Sequence, residues 1–240
     1  TIGTTRAETG HPVGQIFGYV HDRLFTEDDF KDVENGVLKD GVPKQTFTAK
    51  VRPGDIKYVD LDKNGFIDTY DQMAIGGTEN PEIVYGFGVN LRWKELDFGA
   101  MFQGIGRTWR ILSSNIMPAS NKGSMYNIFD NYQDRWTVDN QSQDVFYPRA
   151  DYGPNANNSQ KSTWWLRNMS FLRLKNLELG YSCPKKWLQG FVISNARVFV
   201  RGTNLLTFSK FNLWDPELAT GDGAKYPAMK SVSVGFDITF

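Results

Sequence analysis

Alternation of apolar and polar residues along several stretches constrains the fold of this chain more than any other feature. In 83–93 every odd position is apolar, and the even positions include glycine, asparagine and arginine. Because successive side chains of a strand point to opposite faces, such a stretch predicts a strand with one apolar face and one polar face. The same pattern recurs in 96–106, 196–208 and 230–240.

Two further stretches are candidate strands with a less regular pattern. In 171–182 the apolar positions change from even to odd between Leu174 and Leu177. One extra residue in a strand produces such a change of phase, so the stretch predicts a strand with a β-bulge. A weaker alternation marks 14–25 as a sixth strand.

The connections between these strands alternate in length. Short turns at 94–95 and 183–195 contrast with three long segments, at 26–82, 107–170 and 209–229. Compact soluble domains seldom contain connections of about 60 residues with little regular structure. Transmembrane β-barrels do, with short periplasmic turns and long extracellular loops. The pattern therefore favours strands of a transmembrane β-barrel.

A soluble β-sandwich also alternates apolar and polar residues, so it is the competing fold. The last alternating stretch favours the barrel. It contains Gly235, Ile238 and Phe240 in the pattern G-x-x-I-x-F. A terminal aromatic residue on an alternating strand resembles the assembly signal of bacterial outer-membrane barrels. We therefore expect these three residues to form a barrel assembly signal.

The stretch 60–71 has the residue spacing of a calcium loop of the EF-hand or dockerin type, with Gly65 at the turn position. Calcium prefers six to eight hard oxygen ligands. The expected ligands, with the backbone carbonyl at position 7, are Asp60, Asp62, Asn64, Phe66, Asp68 and Asp71. Helix breakers flank the loop, so we expect a structural Ca²⁺ clip and not a switch. The competing interpretation is a turn of Asp, Asn and Gly without metal.

Composition and motifs argue against several other functions. The chain has 27 Lys and Arg and 27 Asp and Glu, so no net charge favours nucleic acid. His11, His21 and the single cysteine, Cys183, lack the spacing of a metal or catalytic site, and no nucleophile motif is present. We expect no enzymatic activity. For the pair Trp164–Trp165, loop packing or a girdle role is favoured over stacking on sugars.

Several longer motifs resemble one family. They are PGDIKYVDLDKNGFID (53–68), NPEIVYGFGVNLRWKELDFGAMFQG (80–104), DRWT (134–137), YPR (147–149), FLRLKNLELGYSCPKKWL (171–188), NARVFVRGTNLLTFSKF (195–211) and WDPE (214–217). Together they resemble the C-terminal part of SusC/RagA-type TonB-dependent outer-membrane transporters of the Bacteroidota. The resemblance covers nearly the whole chain, in order.

The resemblance implies an all-β fold in which residues 1–240 supply about six C-terminal strands of a 22-stranded antiparallel transmembrane β-barrel with long extracellular loops. The plug and the N-terminal strands of the receptor are absent from these residues. Within the segment, 53–81 is an extracellular loop that contains the calcium loop.

The resemblance also implies a function and its partners. Such a protein is part of an active transporter in the bacterial outer membrane that imports oligosaccharides or peptides. The partners are a SusD-like surface lipoprotein, the remaining barrel and plug, TonB through the N-terminal region, the glycan or peptide substrate, and outer-membrane lipid. The alternative is a soluble, calcium-stabilised, β-rich module for carbohydrate binding or adhesion.

Overall fold

The computed structural model describes residues 8–113, 129–151 and 153–240, which form mostly β-strands. The strands are β1 (Gln15–Tyr19), β2 (His21–Leu24), β3 (Phe30–Asp32), β4 (Val37–Leu38), β5 (Lys44–Gln45), β6 (Ile56–Tyr58), β7 (Phe66–Ile67), β8 (Gln72–Thr78), β9 (Ile83–Trp93), β10 (Leu96–Gly106), β11 (Trp109–Ile111), β12 (Leu166–Asn168), β13 (Phe171–Ser182), β14 (Asn195–Ser209) and β15 (Ser231–Thr239). A short α-helix, α1 (Lys185–Leu188), lies between β13 and β14. Among the described residues no helix has the length and apolar composition needed to cross a membrane.

The chain folds into two compact units. The first, called the loop unit, contains the described residues of Thr1–Glu79, Trp109–Arg167 and Thr220–Asp222. The second, called the sheet unit, contains Asn80–Thr108, Asn168–Ala219 and Gly223–Phe240.

The sheet unit is built on one open antiparallel sheet in the order β15-β14-β13-β10-β9. Its strands match the five strongest predictions: β9, β10 and β13 begin and end where expected, and β14 and β15 differ by one residue at each end. The predicted bulge is confirmed. In the pairing with β10 the register shifts between Leu174 and Asn176, so Lys175 is an extra residue of β13. In the pairing with β14 the extra residue belongs to β14, at 204–205.

The register places the alternating apolar positions of all five strands on one face, called the apolar face. Directly paired residues share a face, and the pairs Leu91 with Phe98 and Val200 with Val234 show the rule. Large side chains of this face are exposed, with 65% of Val234 and 75% of Phe236 accessible. The exposed members include Tyr85, Phe87, Val89, Leu91, Trp93, Leu96, Leu179, Val198, Val200, Leu206, Phe208, Val232, Val234, Phe236 and Ile238.

The opposite face, called the polar face, contains a network of charged side chains from four strands. Arg197 lies at its centre and contacts Asp97 with Nε at 3.0 Å and Nη2 at 2.5 Å. The same Nη2 is 2.5 Å from Glu178, and Nη1 is 3.4 Å from Asp237. Arg201 contacts the second oxygen of Glu178 at 2.6 Å. Each Arg therefore neutralises carboxylates across the sheet.

The WDPE motif is attached to the polar face of β13. Arg173 is buried, contacts Asp215 through Nη2, and contacts Glu217 through Nη1 at 2.8 Å. Lys175, the bulge residue, contacts the other oxygen of Glu217 at 2.7 Å. Two cations of one strand thus anchor the two carboxylates of the WDPE motif, which lies between β14 and β15.

The loop unit consists of short strands around its own core. In it β1 pairs with β8, β2 with β6, and β3 with β4 in antiparallel fashion, whereas β5 and β7 are parallel. Its buried apolar residues include Phe17, Tyr19, Leu24, Phe25, Ile56, Tyr58, Ile67, Ile75, Leu112, Trp136, Tyr147 and Trp165. Burial of these side chains, at about 1.5–3 kcal/mol each, holds the short strands together.

Two expectations about this region are wrong. The stretch 14–25 is not a strand of the large sheet: it forms β1 and β2 within the loop unit, and β1 is buried on both faces. The segments 26–82 and 107–170 are not loops of little regular structure, since their described residues contain short strands and a packed core. The cause is the length of these strands. Most have two to five residues, too few for alternation to be visible in sequence.

Candidate metal centre

The predicted calcium loop brings three of its carboxylates together. Ligand atoms of Asp60, Asp62 and Asp71 all lie within 4.8 Å of one another. Asp71 is fully buried, Asp60 half-buried and Asp62 exposed, so the cluster opens to solvent on one side. Three negative charges at this spacing repel one another, and a cation between them would remove that repulsion.

Backbone groups of the loop fix the orientation of the carboxylates. Asp71 accepts hydrogen bonds from the backbone N–H of Leu61 at 2.7 Å and of Asp68 at 2.8 Å, one on each oxygen. One oxygen of Asp60, Oδ2, accepts from Gly65 N–H at 2.8 Å. Gly65 has φ of +86°, in the left-handed region that the sixth position of the loop requires.

The other oxygen of Asp60 is the feature that best fits a metal. Asp60 Oδ1 is buried and has no hydrogen-bond partner among the described residues. A buried carboxylate oxygen without a partner is costly, because it has lost water and gained nothing. A Ca²⁺ ion in the cluster would be bound by such oxygens, which are the hard ligands it prefers.

The remaining predicted ligands lie beside the cluster. Asn64 donates from Nδ2 to Asp62 at 2.9 Å, and its Oδ1 accepts from Phe66 N–H at 2.7 Å. Asp68 is not part of the cluster. It begins the 3₁₀ turn Thr69–Asp71, where its side chain accepts from Tyr70 N–H at 2.8 Å.

Pairing of β7 with β5 attaches the loop to the core of the loop unit. The carbonyl oxygens of Gly65 and Ile67 accept hydrogen bonds from the backbone of the β5 segment. Successive carbonyls of a strand point to opposite edges, so the Phe66 carbonyl points away from β5. Ile67 itself is fully buried. The Phe66 carbonyl is therefore not used in the pairing with β5.

A second polar cluster lies in the loop unit, and residue spacing alone did not predict it. Asp55 is buried and accepts from Arg149 Nε at 3.1 Å and from the side-chain amides of Asn155 and Asn158, each at 3.0 Å. Arg52 N–H donates to its other oxygen at 2.8 Å. Asp55 belongs to the motif PGD and Arg149 to the motif YPR. The family resemblance of these two motifs was the signal that could have pointed to the cluster.

Electrostatics and close packing hold this cluster together. Burial lowers the pKa of Arg149, but the carboxylates of Asp55 and Asp151 outweigh that effect and raise its pKa. Gly54 packs against the indole of Trp136, and a Cβ on Gly54 would lie 2.4 Å from that ring. Three motifs of the sequence, PGD, DRWT and YPR, therefore meet at one place and stabilise the loop unit.

The tryptophans of the loop unit pack in its interior. Trp164 and Trp165 are buried, and their indole N–H groups donate to the carbonyls of Phe146 and Asn158. Loop packing, the favoured interpretation of this pair, is confirmed.

The predicted assembly residues lie at the end of β15. Ile238 is on the apolar face, opposite Ala196, and Phe240 is exposed beyond the strand. Gly235 is on the polar face, where a Cβ would lie 2.5 Å from the ring of Phe199. Packing against Phe199 gives Gly235 a structural role, and the assembly signal stays a prediction.

Comparison with known sequences identifies relatives, although no family model matches the chain. The chain is 32% identical over 202 residues to TonB-dependent receptor P26 of Formosa agariphila, which covers 78% of the chain and 20% of the relative. It is 27% identical to TonB-dependent receptor P3 of the same organism, over 96% of the chain and 22% of the relative. TonB-dependent receptor SusC of Bacteroides thetaiotaomicron is 24% identical, over 83% of the chain and 19% of the relative.

Solved structures with a similar fold agree with these sequence relatives. The RagAB peptide importer in its open-open state superimposes with a TM-score of 0.66 at 25% identity, over 94% of this chain and 22% of that chain. Its closed-closed state gives a TM-score of 0.64 at 26% identity. The chain thus spans about a fifth of the length of the relatives that it matches. In sequence and in fold the chain is a segment that belongs to the TonB-dependent receptors of the SusC/RagA type.

Proposed function

We propose that the chain supplies part of the barrel wall and of the extracellular loops of an active transporter in the bacterial outer membrane. The transporter imports oligosaccharides or peptides with energy delivered through TonB, and a SusD-like surface lipoprotein is its partner. The named relatives are TonB-dependent receptors, and the similar solved structures are of a peptide importer. On this proposal the chain has no enzymatic activity of its own.

The observation that carries the proposal is the contrast between the two faces of the five-stranded sheet. One face presents a continuous set of exposed apolar side chains, and the other presents the Arg197 network. A soluble sandwich would cover the apolar face with a second sheet. In an outer-membrane barrel the apolar face contacts lipid and the polar face lines the wet interior.

Arginine substitutions on the two faces test the proposal. In the full receptor, Val89→Arg or Val234→Arg places a charge in lipid and should cost about 2–4 kcal/mol near the bilayer midplane. The matched control Asn90→Arg changes the neighbouring residue on the polar face, where the new charge meets the wet interior, and should leave the stability nearly unchanged. The readout is the urea concentration that unfolds the receptor in lipid vesicles. Equal loss of stability on both faces would contradict the barrel and indicate that both faces are buried.

We also propose that the loop 60–71 binds a structural Ca²⁺. The supporting observation is the cluster of Asp60, Asp62 and Asp71, with the buried and unpaired oxygen of Asp60. Extracellular calcium is plentiful, so an affinity of the weak class, about 10⁻⁴–10⁻³ M, is enough. When bound, the ion supplies charge neutralisation, and it stabilises the loop by mass action.

Limited proteolysis of the full receptor tests the calcium site. Chelation should increase cleavage within 53–81, and millimolar calcium should restore protection. Asp62→Ala is the sharpest variant, because Asp62 is exposed and, among the described residues, its side chain forms hydrogen bonds only with Asn64. It should abolish the effect of calcium, whereas the exposed control Asp139→Ala should retain it. Protease sensitivity that is the same with chelator and with calcium would refute the site.

A further inference from the structure

A cavity of about 450 Å³ in the loop unit has an unusual lining of cationic side chains. Three arginines contribute to its wall, Arg52, Arg135 and Arg149, against one carboxylate, that of Glu27. Small-molecule sites in proteins have volumes of about 300–1,000 Å³ and a few polar groups at fixed positions. The cavity has the size for one sugar ring or one amino-acid side chain.

The arginines differ in how they are held. Arg149 is fixed by Asp55 and Asp151, at 3.1 Å and 2.7 Å. Arg135 donates to the carbonyl of Tyr132 at 3.0 Å, and its guanidinium lies 4.6 Å from the centre of the Tyr132 ring. Within the described part of the chain the side chain of Arg52 has no hydrogen bond or ion pair. Arg52 therefore has all its donors available to a ligand.

The rest of the cavity wall is mostly apolar. Trp136 lines the cavity and is only 5% exposed. Its indole packs against Gly54, which also lies close to the side chain of Arg149. Pro53 is buried, and the exposed side chain of Val138 stands at the rim. Apolar walls lower the local dielectric and strengthen the attraction between a guanidinium and an anion. A planar guanidinium matches a carboxylate through two parallel hydrogen bonds.

We propose that this cavity binds the carboxylate group of a small organic ligand, with Arg52 as the main contact and Arg135 supporting it. Glu27 opposes such binding, because its own carboxylate shares the cavity. A uronic acid of a glycan and an acidic residue of a peptide both present this group. The proposal does not depend on transport, since it concerns only binding to the loop unit.

Two pairs of probes, each differing in one charge, test the proposal on the purified full receptor at low ionic strength. Galacturonate is compared with galactose, and the α-amide of N-acetylglutamate with the α-amide of N-acetylglutamine, by isothermal titration calorimetry. At least one acidic probe should bind roughly tenfold more tightly than its neutral counterpart, as expected for one charge-assisted hydrogen-bonded pair. Which acidic probe binds shows whether glycan or peptide carboxylates are accepted.

Variants of opposite expected effect make the test specific. Arg52→Ala should weaken binding of the acidic probe roughly tenfold, and Glu27→Gln should tighten it, because one removes the attracting charge and the other the repelling one. Lys39→Ala, an exposed cation outside the cavity, should leave the affinity unchanged. Both Arg52 and Glu27 are exposed, so neither change disturbs the core. Equal binding of acidic and neutral probes, no binding of either acid, or equal effects of Arg52→Ala and Lys39→Ala would each overturn the proposal.

Discussion

Buried carboxylates of the loop unit are each surrounded by hydrogen-bond donors. Asp29 accepts from both terminal nitrogens of Arg23 at 2.7 Å, from Thr26 N–H at 2.9 Å and from Lys57 at 3.3 Å. Asp55 is similarly enclosed by Arg149 and two asparagines. A buried charge is costly unless it is paired, and these donors supply the pairing.

Asp29 gives a prediction for acid stability. Burial raises the pKa of Asp29, but Arg23, Thr26 N–H and Lys57 outweigh that effect and lower its pKa from 3.8 to about 2. The ionised form therefore stabilises the fold by about 2 kcal/mol above pH 4, and this contribution disappears as the pH falls from about 4 to about 2. The protection of the 23–30 segment against hydrogen exchange, relative to an unfolded peptide at the same pH, should fall in the full receptor over that range.

The variant Asp29→Asn supplies the comparison. It cannot ionise, so the segment should exchange faster at pH 7 and should show much less change between pH 4 and pH 2. The exposed control Asp28→Asn should behave like the unmodified receptor. An unchanged pH profile in Asp29→Asn would show that another group causes the acid effect.

At the scale of secondary-structure elements, the large sheet combines a regular apolar face with specific packing on the polar face. Phe199 of β14 lies over Gly235 of β15, its direct partner across the sheet. The guanidinium groups of Arg197 and Arg201 lie 5.0 Å and 5.3 Å from the centre of the same ring. A glycine in β15 thus creates the space that an aromatic ring of β14 fills.

A side chain at Gly235 should displace this ring. Gly235→Val should cost about 1–3 kcal/mol, as overpacking does elsewhere. Ser233→Val, two residues away on the same face, should cost less, because Ser233 lies opposite Arg201 and not under a ring. The readout is the temperature at which the folded receptor loses its heat-modifiable migration in gels.

A double variant separates packing from an assembly signal at Gly235. If packing is the cause, Phe199→Ala should recover most of the stability lost in Gly235→Val, since the new side chain then occupies the space of the ring. Failure of Phe199→Ala to recover either stability or the amount of assembled receptor would point to recognition of Gly235 itself.

The large sheet could be predicted from sequence because its signal is local. Alternation in 83–93 and 230–240 identifies each strand without knowledge of its partner, and the bulge at Lys175 is visible as a change of phase. The signal for the expected calcium loop is equally local, since a run of twelve residues contains every expected ligand. Contacts such as that of Asp55 with Arg149 join residues 94 apart in sequence, and no periodic pattern of residues predicts them. The short strands of the loop unit were missed for the same reason.

At the scale of the whole molecule, the order of the strands predicts the orientation in the membrane. Neighbouring strands are antiparallel, so β9, β13 and β15 run in one direction and β10 and β14 in the other. If β15 ends in the periplasm, we expect the turns 94–95 and 183–194 to be periplasmic and the segments 26–82, 107–170 and 209–229 to be extracellular.

Labelling of single cysteines in intact cells tests this orientation. With Cys183→Ser as background, a membrane-impermeant maleimide should label Asp40→Cys and Asp139→Cys, which are exposed in the loop unit. It should not label Lys94→Cys or Lys186→Cys until the outer membrane is permeabilised. Labelling of Lys94→Cys in intact cells, together with protection of Asp40→Cys, would reverse the topology.

Two segments distant in sequence build the loop unit together, and this limits how segments can be exchanged between related receptors. Its two long segments, 26–82 and 107–170, share one interior: Tyr58 donates to the Asn157 carbonyl at 2.7 Å, and Asp55 is enclosed by donors from the other segment. A recombination event that exchanged only one segment would leave a buried charge without its counterpart, at about 3–5 kcal/mol. Viable grafts therefore exchange both segments at once, and the hairpin of β9 and β10 encoded between them is inherited with them.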